Sequence, residues 1–261
     1  MSAAGEFTEL ARRGERGALV TVLSGPAAGG KLLVTADGER SGSLGDEALE
    51  DAAARHADEL MWLERSERRD EGENVLFVDT TFPPPRLFAF GAVDFAAALC
   101  RLARAAGWRP YVVDPRARFA QPARFPDAEE VVAAWPEEAF HRLGGIDRAT
   151  AIAVLTHDPK LDDAALEIAL RSDAAYVGAM GSHRMQAKRH DRLVEKGITE
   201  DELARLAAPI GLDLGALTPE ETALSIMSEI VALRRGRPGG RLANASGRIH
   251  EVTGETGEVA A

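Results

Sequence analysis

The chain has 261 residues, of which 45% are hydrophobic, and a formal net charge of −11 at pH 7. That length can bury one α/β core, or one such core and a smaller domain. The negative charge argues against nucleic acid or an acidic membrane as a partner, because phosphate binding normally requires a basic surface. No run reaches the roughly 20 uncharged apolar residues of a membrane span, and the first residues lack the apolar core of a signal peptide, so we expect a cytoplasmic protein.

The first part of the chain, residues 1–84, is predicted to be a small α+β domain. Three β-type runs are separated by Gly-Pro and Asp-Gly turns, namely Gly17–Leu23, Lys31–Ala36 and Glu39–Ser43. Residues 45–69 place apolar side chains at helical spacing, with acids at the start and bases at the end, and predict one helix that packs on this sheet. A further strand is predicted over Asn74–Phe82. We expect the domain boundary at the prolines 83–85, because proline has no N–H with which to continue a strand.

From Arg86 onward, strands and helices alternate, which is typical of a parallel sheet joined by right-handed crossovers. The predicted strands cover residues 86–91, 109–114, 128–132, 150–158 and 173–178. The predicted helices cover residues 94–107, 136–144, 162–172, 182–196, 199–207 and 219–235. Residues 85–235 are therefore predicted to form a Rossmann-like, doubly wound α/β domain with extra helices at its C-terminal end. The remainder, 236–261, is polar and rich in glycine, and we predict a disordered tail.

Two residues near the start of this second domain have the spacing of a dinucleotide site. Gly91 ends the first strand, and Asp114 closes the second strand 23 residues later. In such a site the glycine lets the backbone approach a pyrophosphate and the acid holds a ribose hydroxyl. However, Val93 stands where the motif has its second glycine, and Asp94 adds a negative charge. The turn thus disfavours NAD(P), and the alternative is a structural turn in which Asp94 is the helix N-cap.

His157 and Asp158 lie at the carboxyl end of a predicted strand, where open α/β sheets bind their ligands. We therefore favour a ligand-binding role for both. The alternative is that Asp162 or Asp163 caps the next helix while His157 hydrogen-bonds a loop carbonyl. One histidine with carboxylates is a weak indication of a metal site.

A third candidate site is the glycine turn between the last long strand and a basic helix. Gly178 and Gly181 permit close backbone approach, while Ser182 and Arg184 offer hydrogen-bond donors to an anion. Helices also start in this way for structural reasons, so this pattern alone leaves both interpretations open.

The remaining motifs are predicted to be structural. Thr218 to Glu221 have the pattern of a capping box. Cys100, the single cysteine, lies in a helical, apolar context and is predicted to be a buried small side chain. In the irregular link before Thr218, only Asp213 is a candidate for a ligand contact. No Ser-His-Asp order, Cys-His pair, H-E-x-x-H or C-x-x-C pattern is present, so we expect no catalytic role, although enzymatic activity stays open.

Four segments together resemble the XdhC/CoxI family of accessory proteins for molybdenum hydroxylases. They are GAVDFAAAL from Gly91, LTHDPKLDDAAL from Leu155, AAYVGAMGSHR from Ala174 and APIGLDLGALTPEETALSIMSEI from Ala208. The resemblance implies a small N-terminal domain and a Rossmann-like C-terminal domain. It also implies that the protein binds molybdenum cofactor (molybdopterin), with Gly178, Gly181 and Ser182 near its phosphate, and helps to insert it into a xanthine dehydrogenase-like enzyme. The implied partners are that apo-enzyme, a molybdenum hydroxylase, and a cysteine desulfurase, while a homodimer stays open.

The chain departs from the family pattern at one position that bears on the cofactor. Members of the family carry a cysteine in a G-S-x-S-G-G-C-V-E stretch, and this chain has Ala48 there, preceded by Asp46 and Glu47. A thiolate could bind molybdenum, whereas alanine cannot, and two acids repel an anionic cofactor. We therefore predict a diverged member of the family. The alternatives are a cofactor-free scaffold paralogue and an NAD(P)-dependent oxidoreductase that uses Gly91 and Asp114.

Overall fold

The computed structural model of the protein describes residues 2–245. It contains two compact units, of which the first ends at Pro83 and the second begins at Pro84. Residues 246–261, most of the predicted tail, lie outside the described residues. None of the helices in the described part of the chain has the length and apolar character needed to cross a membrane.

The first unit is one antiparallel sheet with a helix on each face. In chain order its elements are α1 (Ala3–Arg13), β1 (Gly17–Ser24), β2 (Lys31–Thr35), β3 (Arg40–Ser43), α2 (Glu47–Leu63), β4 (Glu67–Glu71) and β5 (Asn74–Thr81). The strand order is β3-β2-β1-β5-β4. Neighbouring residues of β1 point to opposite faces, so Leu19 packs with α1 while Val20 packs with α2.

The predicted helix over residues 45–69 is wrong at its C-terminal end. Helix α2 stops at Leu63, because Glu64 takes a left-handed conformation with φ of 55°. Residues 67–71 form strand β4, which pairs with β5 across the turn at Gly72 (φ 57°). Strand β4 was not predicted because its sequence is charged throughout. Such a sequence is tolerated at the edge of a sheet, where β4 lies. Helix α1 was not predicted at all.

The second unit has a six-stranded parallel sheet. Its elements are β6 (Arg86–Phe90), α3 (Asp94–Ala105), β7 (Arg109–Val113), β8 (Glu130–Val132), α4 (Pro136–Arg142), β9 (Thr150–Val154), α5 (Pro159–Leu170), β10 (Tyr176–Ala179), α6 (His183–Glu195), α7 (Glu200–Leu203), β11 (Leu206–Ala207) and α8 (Pro219–Arg234). The strand order β11-β10-β9-β6-β7-β8 is that of a Rossmann fold. Helices α3 and α8 cover one face, and α4, α5 and α6 cover the other. The predicted fold class, a small α+β part followed by a Rossmann-like doubly wound sheet with further helices, is confirmed.

Two predictions about the second unit are wrong in detail. The predicted helix at 199–207 is the short α7, and the chain then forms β11 at the edge of the sheet. Arg205 explains this change, because its guanidinium donates to three carbonyl oxygens in the segment before β10, those of Leu170, Ser172 and Ala174, at 2.7–2.8 Å. The strand predicted at 150–158 ends at Val154, and residues 155–158 form the loop that enters α5.

Candidate functional site

The candidate site is a cavity at the carboxyl edge of the parallel sheet. Strands β6 and β9 are neighbours, but β6 continues into α3 on one face and β9 into α5 on the other. After these two strands the chain therefore runs to opposite faces of the sheet. Doubly wound sheets bind ligands at such a position. The cavity has a volume of about 580 Å³ and is lined by Val93, Phe95, Arg116, Leu155, Thr156, His157, Asp158, Pro159 and Met180. We call it the crevice. Its size suits a small organic ligand.

Gly91 is the first residue of the turn after β6. Its φ is +112°, a conformation that favours glycine, and an added Cβ would clash with Cγ2 of Thr156. The turn is thus packed directly against the loop after β9. A side chain at position 91 would push the two sides of the crevice apart.

Asp114 is fully buried at the end of β7, and its carboxylate is saturated with hydrogen bonds. Oδ1 accepts from the backbone N–H and from Nε of Arg116, at 2.9 and 2.8 Å. Oδ2 accepts from Nη2 of Arg116 at 2.7 Å and from the backbone N–H of Ala92 at 3.0 Å. Burial raises the pKa of this carboxyl, but the hydrogen bonds outweigh burial, and the net pKa is below the ordinary value. The geometry makes Asp114 an anchor for Arg116 and the turn, with no free oxygen for a ribose hydroxyl.

Arg116 is the cation that this anchor presents to the crevice. Its side chain is 38% exposed, and its guanidinium lies over the ring of Phe119, with Cζ 4.7 Å from the ring centre. The hydrogen bond to Asp114 raises its pKa further, so the group stays charged. Sequence reasoning missed Arg116. The signal was present, since an arginine two residues after a strand-end aspartate can fold back onto that acid.

The N-terminus of α3 differs from its predicted form. Val93 is the N-cap residue and Asp94 is the first residue of the helix, so the prediction that Asp94 is the N-cap is wrong. Asp94 is 86% exposed and pairs with Nη2 of Arg124 at 3.2 Å. Arg124 also donates to the carbonyl of Ala92 at 3.0 Å. Arg124 thus partly offsets the negative charge of Asp94 beside this turn.

The loop after β9 places His157 and Asp158 on the wall of the crevice. His157 is exposed, while Asp158 is the N-cap of α5 and accepts from the N–H of Lys160 at 3.1 Å. The alternative in which Asp162 or Asp163 caps this helix is wrong. Both of these acids are buried and bind arginines of α6 instead.

Sequence reasoning named these two acids only as candidate caps and missed their pairing with arginines. Asp162 accepts from Nη2 of Arg189 at 3.1 Å and from the hydroxyl of Thr156. Asp163 binds Arg192 through two parallel bonds, from Nε at 2.7 Å and from Nη2 at 2.9 Å. Burial raises the pKa of Asp162 above its ordinary value, although its two partners oppose that shift.

The residues of the predicted glycine turn fall into two groups. Gly178 is buried within β10, where an added Cβ would lie 2.6 Å from Cγ1 of Ile210, so its need for glycine comes from packing against the loop after β11. Gly181, with φ of +136°, precedes Ser182, the N-cap residue of α6. The Ser182 side chain makes no capping hydrogen bond within the described residues, and Arg184 is exposed. Met180, the residue before Gly181, lines the crevice, whereas Gly178, Gly181, Ser182 and Arg184 are not among its lining residues.

The link before α8 is a structural element. The N–H of Gly211 donates to Oε2 of Glu229 at 2.8 Å, and the hydroxyl of Tyr176 donates to the same oxygen. Asp213 is exposed. The predicted capping box is confirmed, since Thr218 accepts from the N–H of Glu221 at 3.1 Å and Glu221 accepts from the N–H of Thr218.

No thiolate is available as a metal ligand in residues 2–245. Cys100 is buried in the core beneath α3, as predicted, and burial raises the pKa of its thiol to about 12. Ala48 lies exposed in the first turn of α2. In the same described range, no group of three or more His, Cys, Asp or Glu side chains is placed to hold a metal ion.

The strand order, with its divergence of chain direction at β6 and β9, defines a domain of the Rossmann class. Residues 87–230 match the family described as the XdhC Rossmann domain, and residues 10–70 match the XdhC and CoxI family. Because the first match covers more than half of the chain, the protein belongs to the XdhC family.

Three curated relatives have related sequences. The chain is 27% identical over 239 residues to the "Uncharacterized protein YqeB" of Escherichia coli (strain K12), covering 85% of this chain and 44% of the relative. It is 29% identical to a protein of Bacillus subtilis (strain 168) that is named as a probable xanthine dehydrogenase subunit, covering 61% and 46%. It is 28% identical to the "Molybdenum cofactor insertion chaperone PaoD" of Escherichia coli (strain K12), covering 58% and 41%. The chain thus spans less than half the length of each of these relatives.

One solved structure supports the fold. A xanthine dehydrogenase from Bacillus halodurans superposes with a TM-score of 0.60 at 24% sequence identity, covering 88% of this chain and 66% of the other. At that identity the likeness concerns the fold alone.

Proposed function

We propose that this protein is an accessory factor in the maturation of a molybdenum hydroxylase, which binds molybdenum cofactor in the crevice and helps to insert it into the apo-enzyme. The observation that carries the proposal is the position of Arg116, a cation fixed by a buried carboxylate at the ligand-binding edge of a Rossmann domain. Membership of the XdhC family supports it, as does the relative named a molybdenum cofactor insertion chaperone.

The side chains of the crevice fit the organic part of this cargo. Molybdenum cofactor has a flat pterin and a phosphate. The apolar side chains Val93, Phe95, Leu155 and Met180 offer surfaces for a flat ring, and Arg116 offers donors to an anionic group. Gly181, Ser182 and Arg184 follow Met180 in the chain, and in the proposal they add hydrogen-bond donors and a positive charge for the phosphate.

For the molybdenum atom of the cofactor, the described residues offer no thiolate ligand. Ala48 has no thiol, and Cys100 is buried and protonated. In the proposed complex the protein holds the pterin and the phosphate and leaves the molybdenum without a protein thiolate ligand. This arrangement suits a carrier that releases its cargo. The partners in the proposal are the apo-hydroxylase and, for sulfuration of the cofactor, a cysteine desulfurase.

A second candidate is a cofactor-free scaffold that acts through protein contacts. It is favoured by the start of α2, where Asp46 and Glu50 already occupy the donors that an anionic cofactor would need. An NAD(P)-dependent oxidoreductase is disfavoured, because the oxygens of Asp114 are all engaged.

The test is a titration of the purified protein with molybdenum cofactor released from a donor enzyme. Binding is measured by co-elution, and transfer by the activity gained by an apo-hydroxylase. The informative variant is Arg116→Lys, which keeps a positive charge beside Asp114 but loses the forked donors. We expect its affinity to fall about tenfold, equivalent to about 1.4 kcal/mol.

The matched control is Arg118→Lys. The Arg118 guanidinium lies over the same Phe119 ring, at 4.6 Å, but lies outside the cavity lining in the described part of the chain. Equal loss in both variants would contradict a specific role for Arg116. Absence of binding at micromolar concentration by the folded wild-type protein would favour the scaffold.

A further inference from the structure

Arg189, on α6, connects two loops that each contribute residues to the lining of the crevice, although it does not line the crevice itself. It is 2% exposed, and its Nη2 donates to the carbonyl oxygen of Met180 at 3.1 Å. The same Nη2 donates to Oδ2 of Asp162, also at 3.1 Å, and Nη1 donates to Gln186. Met180 belongs to the loop after β10 and lines the crevice.

The connection continues from Asp162 to the loop after β9. Oδ1 of Asp162 accepts the hydroxyl hydrogen of Thr156, whose Cγ2 packs against Gly91. Arg189 therefore reaches the loop after β10 directly, and reaches Thr156 and the turn after β6 through one carboxylate. Gln186 makes a further contact with the loop after β10, since its Nε2 donates to the carbonyl of Gly181 at 3.3 Å.

A second arginine pair on the same two helices provides a comparison. Arg192 binds Asp163 through two short bonds and donates otherwise to the carbonyl of Lys188, within α6. Arg192 and Asp163 thus join α6 to α5 and touch no residue of the crevice lining among the described contacts.

The burial of Arg189 needs a reason beyond helix packing. A fully buried ion pair seldom adds net stability, because removing both charges from water costs about as much as their attraction returns. The Nε of Arg189 also has no hydrogen-bond partner within residues 2–245, which adds to this cost. Since Arg192 already joins the two helices, the contacts that distinguish Arg189 are those to Met180 and, through Asp162, to Thr156.

We propose that Arg189 is a positioning residue of the crevice, which holds Thr156 and Met180 at the separation that ligand binding requires. This inference rests on the proposed function for the identity of the ligand, but the positioning itself can be measured without a ligand. Arg189 acts through the backbone of one loop and the side chain of another, so its loss loosens both.

The experiment compares Arg189→Lys with Arg192→Lys in the full chain. Lysine retains the charge but cannot reach two acceptors with a rigid fork. Backbone hydrogen exchange is followed by mass spectrometry in peptides that contain residues 155–158 and 180–182. In Arg189→Lys we expect exchange to become about tenfold faster in both segments. In Arg192→Lys we expect both segments to stay at the wild-type rate.

Affinity for molybdenum cofactor is the second readout. We expect it to fall about tenfold in Arg189→Lys and to stay within about twofold in Arg192→Lys. Equal exchange in the two variants would overturn the positioning role, as would unchanged affinity of Arg189→Lys for a cofactor that the wild type binds. If the wild type binds no cofactor, the proposed function fails, and the exchange comparison still decides the role of Arg189.

A third variant keeps the test decisive if Arg189→Lys does not fold. Thr156→Val has nearly the same shape and leaves both arginine–aspartate pairs in place, but removes the bond to Asp162. We expect faster exchange at residues 155–158 alone, with residues 180–182 still held by Arg189. Uniform loosening of the whole unit would contradict the connection.

Discussion

The start of α2 in the first unit and the start of α6 in the second unit leave their helix N-termini in opposite states. At α2, Asp46 accepts from the N–H of Leu49 at 2.8 Å, and Glu50 accepts from the N–H of Leu44 at 2.8 Å and from the hydroxyl of Ser43. At α6, the Ser182 side chain makes no such bond within the described residues, and no acid occurs in the first turn. The first helix start supplies its own negative charge, whereas the second has neither a side-chain cap nor an acid in its first turn within the described residues.

This difference bears on where the proposed ligand would bind. The stretch around Ala48 is the place where the sequence departs from the cysteine motif of its family, and one of the substituted acids, Asp46, caps the helix there. Ligand-binding potential is therefore concentrated in the second unit. There, the crevice combines the positive charge of Arg116 with apolar side chains.

The largest expected effect tests how rigidly the crevice is built. Gly91→Ala places a Cβ against Thr156 at a φ of +112°, so we expect the free energy of unfolding of the second unit to fall by about 3 kcal/mol. Gly107→Ala is the matched control, because Gly107 also has a positive φ, +81°, but open space around it. In Gly107→Ala we expect the free energy of unfolding to fall by about 1 kcal/mol. Urea denaturation measures both, and equal losses would show that contact with Thr156 is unimportant.

The two helix starts can be compared directly by removing their cap residues. Asp46→Ala deletes a capping bond and should lower the free energy of unfolding of the first unit by about 1 kcal/mol. Ser182→Ala deletes no such bond in the described structure, so we expect the free energy of unfolding of the second unit to fall by only about 0.3 kcal/mol. Thermal or urea unfolding of both variants provides the measurement. A large loss in Ser182→Ala would mean that α6 is capped in solution, contrary to the comparison.

Within the second unit, two buried acids should respond to pH with opposite sign. Burial raises the pKa of Asp114, but its hydrogen bonds, chiefly from Arg116, outweigh burial and lower it, so its stabilising contribution is present above pH about 4 and is lost as pH falls through the folded-state pKa. The pKa of Asp162 is raised by burial, so its contribution is fully present below pH about 4 and is lost as pH rises through the folded-state pKa.

Asparagine variants separate these two contributions. The stability difference between wild type and Asp114→Asn should grow as pH rises from about 3 to 6, whereas that for Asp162→Asn should shrink over the same range. Urea denaturation at several pH values measures both slopes. Parallel slopes would mean that Asp162 is stabilised as an anion as fully as Asp114.

Local patterns made most of the second unit predictable. Uninterrupted apolar runs such as Ala151–Val154 are typical of buried strands, and their alternation with helices fixes a parallel sheet and hence the edge at which His157 must lie. The charged strand β4 was not predictable in this way. Its sequence has the same composition as the end of a surface helix, and only pairing with β5 decides between the two.

The chemistry of the crevice was less predictable, because it depends on pairs that are distant in sequence. The pattern around Asp162 favours a cap, since aspartate near a helix start has that role most often. That it binds Arg189, 27 residues away, follows from the packing of α6 on α5. Gly178 was predicted to contact a ligand, but Ile210 occupies the space beside it. Arg116 was also missed, although its partner Asp114 lies only two residues away and its pairing could have been inferred from the sequence.

The smallest expected effect concerns the open start of α6. Arg184→Glu reverses an exposed charge in the first turn of the helix, and we expect it to weaken binding of molybdenum cofactor by about threefold at low salt. Lys188→Glu makes the same charge change one turn further from the N-terminus and should have a smaller effect, because the influence of the helix start declines within a turn. Affinity is measured for both at about 0.05 M and 0.5 M salt. The effect of Arg184→Glu should nearly vanish at the higher concentration, since exposed charges are then screened beyond a few ångströms. An equal effect of the two substitutions would show that net charge, and not the open helix start, attracts the anion.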